Sequence, residues 1–249
     1  MSKDPSQKVA LVTGANKGLG FETARQLAQQ GIKVLLGARD EKRGKEAESK
    51  LKQEGLDVEF VLIDLNDAET HKAAATYIDK KFGKLDILVN NAAINLQGID
   101  SPVPTASETS LDVYRKTFDT NFFDLIAVTQ ALLPLVRKSP AGRIVNLSSG
   151  LGSSTLHSDP TSPIYDFKVP AYDVSKAAVN SFTVHLAYEL RNTPIKVNVA
   201  HPGWVKTDMG GENAPLEIEE GAKTSVALAT LPDDGYTGKF IHLDQELPW

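Results

Sequence analysis

Polar and apolar positions along this chain fall into a repeating couplet. A short, almost continuously apolar run is followed by a longer segment whose apolar residues recur at helical spacing. Seven such runs stand out: Lys8 to Thr13, Ile32 to Gly37, Val58 to Asp64, Leu85 to Asn90, Arg143 to Ser148, Lys196 to Ala200 and Lys239 to Leu243. Runs such as Val9-Ala10-Leu11-Val12 and Ile87-Leu88-Val89 have no polar face, which suits parallel strands covered on both sides. The intervening segments predict helices to Gln30, from Glu41, over Ala68 to Phe82, from about Glu108 to Arg137 and over Ala171 to Leu190. This alternation predicts an α/β fold: a doubly wound parallel sheet of about seven strands in three α/β/α layers, with ligands at the carboxyl ends of the strands. No shift in composition marks a boundary, and 249 residues suit one domain spanning 1–249.

Charge and composition narrow the function. A net charge of −5 argues against a sequence-independent nucleic-acid partner or an anionic membrane surface, both of which require a basic patch. With no cysteine, disulfides, thiolate zinc sites and a cysteine nucleophile are excluded. The absence of cysteine suits a reducing compartment. The start, MSKDPSQ, is polar, and no apolar run approaches the roughly eighteen residues of a membrane span. A soluble, cytoplasmic protein is the expectation. The five histidines have no metal-ligand spacing, and no metal is expected.

The first strand runs into Thr13-Gly14-Ala15-Asn16-Lys17-Gly18-Leu19-Gly20 and then a helix. Glycines let the chain turn sharply and let backbone N–H groups approach a phosphate, to which the helix start adds partial positive charge. This context points to a dinucleotide, with Gly14, Asn16, Lys17, Gly18, Leu19 and Gly20 around its phosphates. The second strand ends at Arg39, where an NAD-specific site carries a carboxylate and a 2′-phosphate calls for a cation. Arg39 and Lys17 favour NADP, and NADPH over NADH, while Asp40 reads as the cap of the next helix. Asp64 and Leu65, at the end of the third strand, either touch an adenine edge or begin a helix cap. The run Asn90-Asn91-Ala92-Ala93 brings small residues and amides to the next strand end, with Asn90 and Ala92 as cofactor contacts. Asn121 sits among Phe118, Phe122 and Phe123, so its amide is expected to be buried and to need partners.

Candidate chemistry converges on Tyr172 and Lys176, four apart and therefore on one face of a helix. A nearby ammonium stabilises a phenolate and lowers the phenol pKa toward the range of a useful general acid. The spacing alone is weak, because Tyr77 and Lys81 repeat it in a segment of surface composition. Ser148 and Ser149 end the fifth strand, and either hydroxyl could donate to a substrate oxygen. No histidine-assisted serine and no Gly-x-Ser-x-Gly elbow accompanies them. The stretch from 150 to 170 offers Leu156, Ile164, Tyr165 and Phe167 for an apolar pocket, and the stretch from 204 to 218 reads as a mobile lid after Pro202-Gly203.

In this order the pieces resemble the short-chain dehydrogenase/reductase family, and within it the NADPH-dependent carbonyl reductases. The resemblance rests on Thr13-Gly14-x3-Gly18-x-Gly20, Asn90-Asn91-Ala92-Ala93, Asn121, Ser149, Tyr172-x3-Lys176 and Pro202-Gly203-Trp204-Val205 with Thr207-Asp208-Met209, and on Glu219-Glu220-Gly221-Ala222 running on to Trp249. It implies a Rossmann-type fold and an oxidoreductase that reduces a ketone or aldehyde reversibly. Tyr172 would act as general acid, Lys176 would lower its pKa and bind the nicotinamide ribose, Ser149 would orient the carbonyl, and Asn121 would hold a relay water. Cofactor contacts would extend to Pro202, Gly203, Val205 and Thr207. The substrate would be a small, hydrophobic carbonyl compound. An interval from Ser149 to Tyr172 longer than is usual in the family leaves both a homo-oligomer and a monomer open. A catalytically silent NADP-binding redox sensor is the alternative; a Rossmann-like methyltransferase would leave Tyr172, Lys176, Lys17 and Arg39 unexplained.

Overall fold

A computed structural model describes residues 7–98 and 103–249; the polar start and residues 99–102 lie outside the described residues. The elements in chain order are β1 (Val9–Thr13), α1 (Gly18–Gln29), β2 (Lys33–Ala38), α2 (Glu41–Gln53), β3 (Val58–Leu62), α3 (Ala68–Lys81), β4 (Ile87–Asn90), α4 (Leu111–Phe118) and α5 (Asp124–Val136). They continue with β5 (Arg143–Leu147), α6 (Ser154–Ser158), α7 (Pro170–Glu189), β6 (Lys196–Ala200), α8 (Ile218–Ala229), β7 (Phe240–His242) and β8 (Gln245–Glu246). The strands form one sheet in the order β3-β2-β1-β4-β5-β6-β7-β8. All neighbours are parallel except β7 and β8, so the seven expected strands gain a short antiparallel eighth.

Continuous apolar runs are explained by two cores, one on each face of the sheet. In β1, Ala10 and Val12 join Ala24 and Leu27 of α1 and Val226 of α8 in one cluster. Val9 and Leu11, the alternate residues, join Ile78 of α3, Leu132 of α5 and Leu186 of α7 in the other. Alternate side chains of a strand point to opposite faces, so a strand buried on both must be apolar at every position.

The sheet reverses winding between β1 and β4, where β1 pairs with β2 on one side and β4 on the other. That is the switch point at which a crevice opens beyond the strand ends. Asp40 caps α2 as expected, accepting the Arg43 N–H at 2.9 Å. The helix expected from Glu108 to Arg137 is broken. Ser110 caps α4, and a π-helical turn over Asp119–Phe123 separates α4 from α5. A π turn re-aims the side chains that follow, and such turns are frequent at functional sites.

Candidate active site

A cleft of about 1350 Å³ runs along the carboxyl ends of β1 to β6. The glycine turn forms one end. Gly14 and Gly18 have φ of +66° and +58°, in the left-handed region that favours glycine. A Cβ on Gly20 would lie 2.4 Å from Asn91 Nδ2 and 2.5 Å from the Gly14 carbonyl oxygen, so only glycine allows the turn to close. Asn91 then ties the turn to β4, its Nδ2 donating to the Thr13 carbonyl at 2.8 Å. Lys17 stands at the N-cap of α1 without a side-chain cap, and the first turn carries no acid. The leading N–H groups of α1 are left for an anion.

Asn16, Lys17, Gly18, Leu19 and Gly20 all border the cleft, as do Arg39, Asp64, Leu65 and Ala92. Arg39 is exposed, and its neighbour Asp40 is engaged with Arg43 at 3.2 Å. Lys17 pairs with Asp208 across the mouth. Helix α3 is capped by Asp67, whose carboxylate accepts the Glu69 N–H at 3.0 Å. Asp64 instead forms a local turn with the Asn66 N–H at 3.1 Å. Pro202, Gly203, Val205 and Thr207 close the far side. The stretch from 204 to 218 folds on itself: Val205 bridges Leu216, and the Trp204 indole N–H donates to the Gly210 carbonyl at 2.7 Å.

Asn90 is not brought to the cleft, contrary to expectation. It ends β4 with its side chain buried beneath the sheet edge, where Nδ2 donates to Thr129 Oγ1 at 2.9 Å and Asn146 Oδ1 at 2.8 Å. Strand alternation explains this, since one residue on Asn91 faces the opposite way. Asn121 is buried as expected. Its Oδ1 accepts the Ile94 N–H at 2.8 Å, and its Nδ2 donates to the Ile94 carbonyl at 2.9 Å and Ser175 Oγ at 3.0 Å. Both amide donors are thereby committed to protein, and Asn121 ties the cleft-lining Ile94 to α7.

Ser148, Ser149, Tyr172 and Lys176 meet on the cleft floor. Ser148 donates to the Lys176 carbonyl at 3.3 Å. Ser149 faces the Tyr172 phenol and favours its ionised form. Lys176 is 2 % exposed and donates to the Leu147 carbonyl at 2.8 Å, with Nζ 5.6 Å from the Tyr172 ring centroid. Burial acts against the expected depression of the phenol pKa. Burial pushes Tyr172 up to about 12, opposed by Ser149 and reinforced by the Asp173 charge. Burial also pulls Lys176 down to about 7. The reason is desolvation: each group loses the water that stabilises its charged form, and the lysine is turned to a carbonyl instead of the phenol.

Two contributors to the site gave no signal in the sequence. His201 lines the cleft with Nδ1 accepting the Gly150 N–H at 3.0 Å, and burial with the neighbouring His242 pulls it down to about 3. Gln97, across the cleft rim, accepts the Ala171 N–H at 2.8 Å and so caps α7 from 74 residues away. Among the described residues no group of His, Asp and Glu could hold a metal ion, and no helix is long and apolar enough to cross a membrane.

A family profile described as short chain dehydrogenase matches residues 8–217. The chain is 36% identical to carbonyl reductase [NADPH] 1 of Sus scrofa, covering 97% of this chain and 94% of that one. It is 35% identical to (-)-isopiperitenone reductase of Mentha piperita, covering 97% and 98%. An NADPH-bound carbonyl reductase from chicken fatty liver superposes with a TM-score of 0.84 at 26% identity, covering 98% and 99%. Sheet order, glycine turn and cleft thus agree with near full-length likeness, and the chain belongs to the short-chain dehydrogenase family.

Proposed function

We propose that this chain reduces a ketone or aldehyde carbonyl with NADPH, reversibly, and that Tyr172 delivers the proton. Both carbonyl reductases named above carry NADPH in their names, and the cleft suits that group. The glycine turn leaves the uncapped start of α1 for the phosphates, with Arg39 and Lys17 for a 2′-phosphate. Asp64 and Leu65 flank the place for adenine; Ala92, Pro202, Gly203, Val205 and Thr207 line the remainder, and Lys176 serves the ribose with Tyr172. Bound there, the reduced nicotinamide supplies the hydride.

The observation that carries the proposal is the meeting of the Ser149 and Tyr172 hydroxyls on the cleft floor with Lys176 buried behind them. Ser149 orients the carbonyl oxygen by donating to it. Tyr172, protonated across the neutral range, gives its proton to that oxygen as negative charge develops. Two preorganised donors aimed at one oxygen favour the charged transition state over the neutral ground state. Exposed Phe167 and Trp204 in the cleft lining, with Ile94 and Ile164, favour an apolar substrate.

The test is cofactor consumption with NADPH and NADH separately, over benzaldehyde, cyclohexanone, diacetyl and menadione, for wild type, Tyr172→Phe and Tyr77→Phe. Turnover with NADPH that is lost only in Tyr172→Phe is expected. Equal turnover in Tyr172→Phe and wild type would overturn the proton assignment.

A further inference from the structure

The chain between Ser149 and Tyr172 carries a cluster of ionisable side chains for which the proton transfer above has no use. His157, on the short helix α6, stands at its centre. The Lys168 ammonium lies 3.0 Å from His157 Nδ1 and donates to the His157 carbonyl at 2.9 Å. An ammonium has only protons to give, so Nδ1 is the bare nitrogen and Nε2 carries the ring hydrogen. That hydrogen faces the Leu151 carbonyl at 2.9 Å and Asp173 Oδ2 at 3.3 Å. Burial and the Lys168 charge hold His157 below its usual pKa, in keeping with a neutral ring.

These three partners occupy distinct places. Leu151 lies where the segment leaves the Ser149 turn, Lys168 where it returns, and Asp173 in the first turn of α7 beside Tyr172. Between the two ends the segment contributes Pro163, Ile164 and Phe167 to the cleft wall. Helix α7 depends on such outside partners. Val169 stands at its N-cap with no side-chain acceptor, and Pro170 has no N–H. Asp173 Oδ2 accepts the Val169 N–H at 2.8 Å, while its Oδ1 is buried without a partner among the described residues.

We propose that His157 is a positioning residue: by bonding both ends of the 151–168 segment and Asp173, it fixes the apolar wall of Ile164 and Phe167 relative to the Tyr172 hydroxyl, and thereby sets how well a carbonyl substrate is held. The proposal rests on Tyr172 as proton donor. Asp173 adds an electrostatic consequence. The groups facing it are His157 on α6, Lys168 at the end of the segment and Tyr172 on its own helix. Burial raises the Asp173 carboxyl to about 7, and its negative charge opposes ionisation of Tyr172. Above neutrality the charged carboxylate therefore adds to burial in keeping the phenol protonated, and removing it lets Tyr172 ionise at somewhat lower pH.

The experiment uses the full chain and the fastest-reduced of the four carbonyl probes. It measures kcat, carbonyl KM and NADPH Kd for wild type, His157→Ala, His157→Gln and Tyr172→Phe. It also takes the pH profile of NADP-dependent oxidation of the product alcohol in Asp173→Asn. His157→Ala is expected to raise carbonyl KM about tenfold, the scale of losing one or two hydrogen bonds, with NADPH Kd within about twofold. His157→Gln, whose amide N–H can replace Nε2–H, restores most of the loss. The Asp173→Asn profile shifts to lower pH. An unchanged KM in His157→Ala overturns the proposal, as does a glutamine variant no better than alanine with NADPH binding weakened in step. Retained turnover in Tyr172→Phe refutes the proton assignment by itself. Lost turnover there beside an unaffected His157→Ala refutes the positioning role alone.

Discussion

Two tyrosines in this chain stand four residues before a lysine on a helix, and the fold treats them in opposite ways. At Tyr77 the lysine reaches its neighbour: Lys81 Nζ donates to the phenol oxygen at 2.7 Å and to the Glu59 carboxylate at 2.6 Å, and the Tyr77 hydroxyl donates to the same carboxylate. At Tyr172 the lysine passes the phenol by and donates to the Leu147 carbonyl. Burial pulls hardest at Lys81 too, but the bonds and charges of Glu59 and Tyr77 together outweigh it and hold this lysine above its usual value. Lys176 has no such partner and falls to about 7. Spacing puts two side chains on one face; the third partner and the supply of water decide whether they form an ion cluster or a reactive site.

The widest separation between the two places should come from removing each hydroxyl. Tyr172→Phe is expected to lower kcat by about a hundredfold to ten-thousandfold, the range for loss of a general acid, and Tyr77→Phe to change it less than about twofold. Steady-state kinetics with NADPH decides this. Next, the partner on the reactive side is Ser149 where the surface pair has Glu59. Ser149→Ala should cost about a hundredfold in kcat through loss of one oxyanion donor, while Glu59→Gln leaves kcat unchanged.

A smaller effect separates the lysines by the sign of their pH dependence. Lys176 has a folded pKa near 7, below its unfolded value, so between the two the unfolded chain binds more protons. Wild type should therefore gain stability relative to Lys176→Met as pH rises from about 7 to about 9, by at most about 1.4 kcal/mol per pH unit. Lys81 behaves in reverse: its contribution is full below the ordinary lysine value and lost as pH climbs through the raised folded value. Urea unfolding of Lys176→Met from about pH 7 to 9, and of Lys81→Met above the ordinary lysine pKa of about 10.4, gives slopes of opposite sign if the comparison is sound. Least of all, Glu59→Gln is expected to change stability by no more than about 1 kcal/mol, since ion pairs open to water contribute little. A loss of several kcal/mol in the same urea titration would show the surface cluster to be a structural anchor.

Much of the frame was legible because its causes are local. Strands buried on both faces must be apolar throughout, and a turn with positive φ beside close backbone needs glycine, so β1 and the Gly14 to Gly20 turn announce themselves. Ser149 and Arg39 follow strand ends, where ligands gather in a doubly wound sheet, and Tyr172 and Lys176 share one helix face; all four line the cleft. What stayed hidden depends on partners distant in sequence. Gln97 is an ordinary loop glutamine until the fold brings it to the Ala171 N–H. The π turn at Asp119–Phe123 left only an indirect sign, an asparagine among phenylalanines. Asn90 was misplaced because a run of two asparagines does not reveal which one strand alternation turns inward. β8 has two exposed polar residues and no apolar pattern to mark it. The direction of the Tyr172 shift could not be read from spacing, since it follows from how much water reaches the pair.

The bonds that tie Asn91 to Thr13 also bear on how the protein is made. Synthesis proceeds from the amino end, and β1 emerges long before β4. The Gly14 turn can form as soon as its own residues leave the ribosome, but the amide that clamps the Thr13 carbonyl arrives 78 residues later. The helix bearing Tyr172 follows later still, and its Gln97 cap is in place first. A growing chain therefore completes its glycine turn and the Asn91 clamp before Tyr172 emerges. A ribosome stalled between those two points would carry the glycine turn and its clamp, but neither Tyr172 nor the residues from Pro202 to Thr207 that close the far side of the cleft.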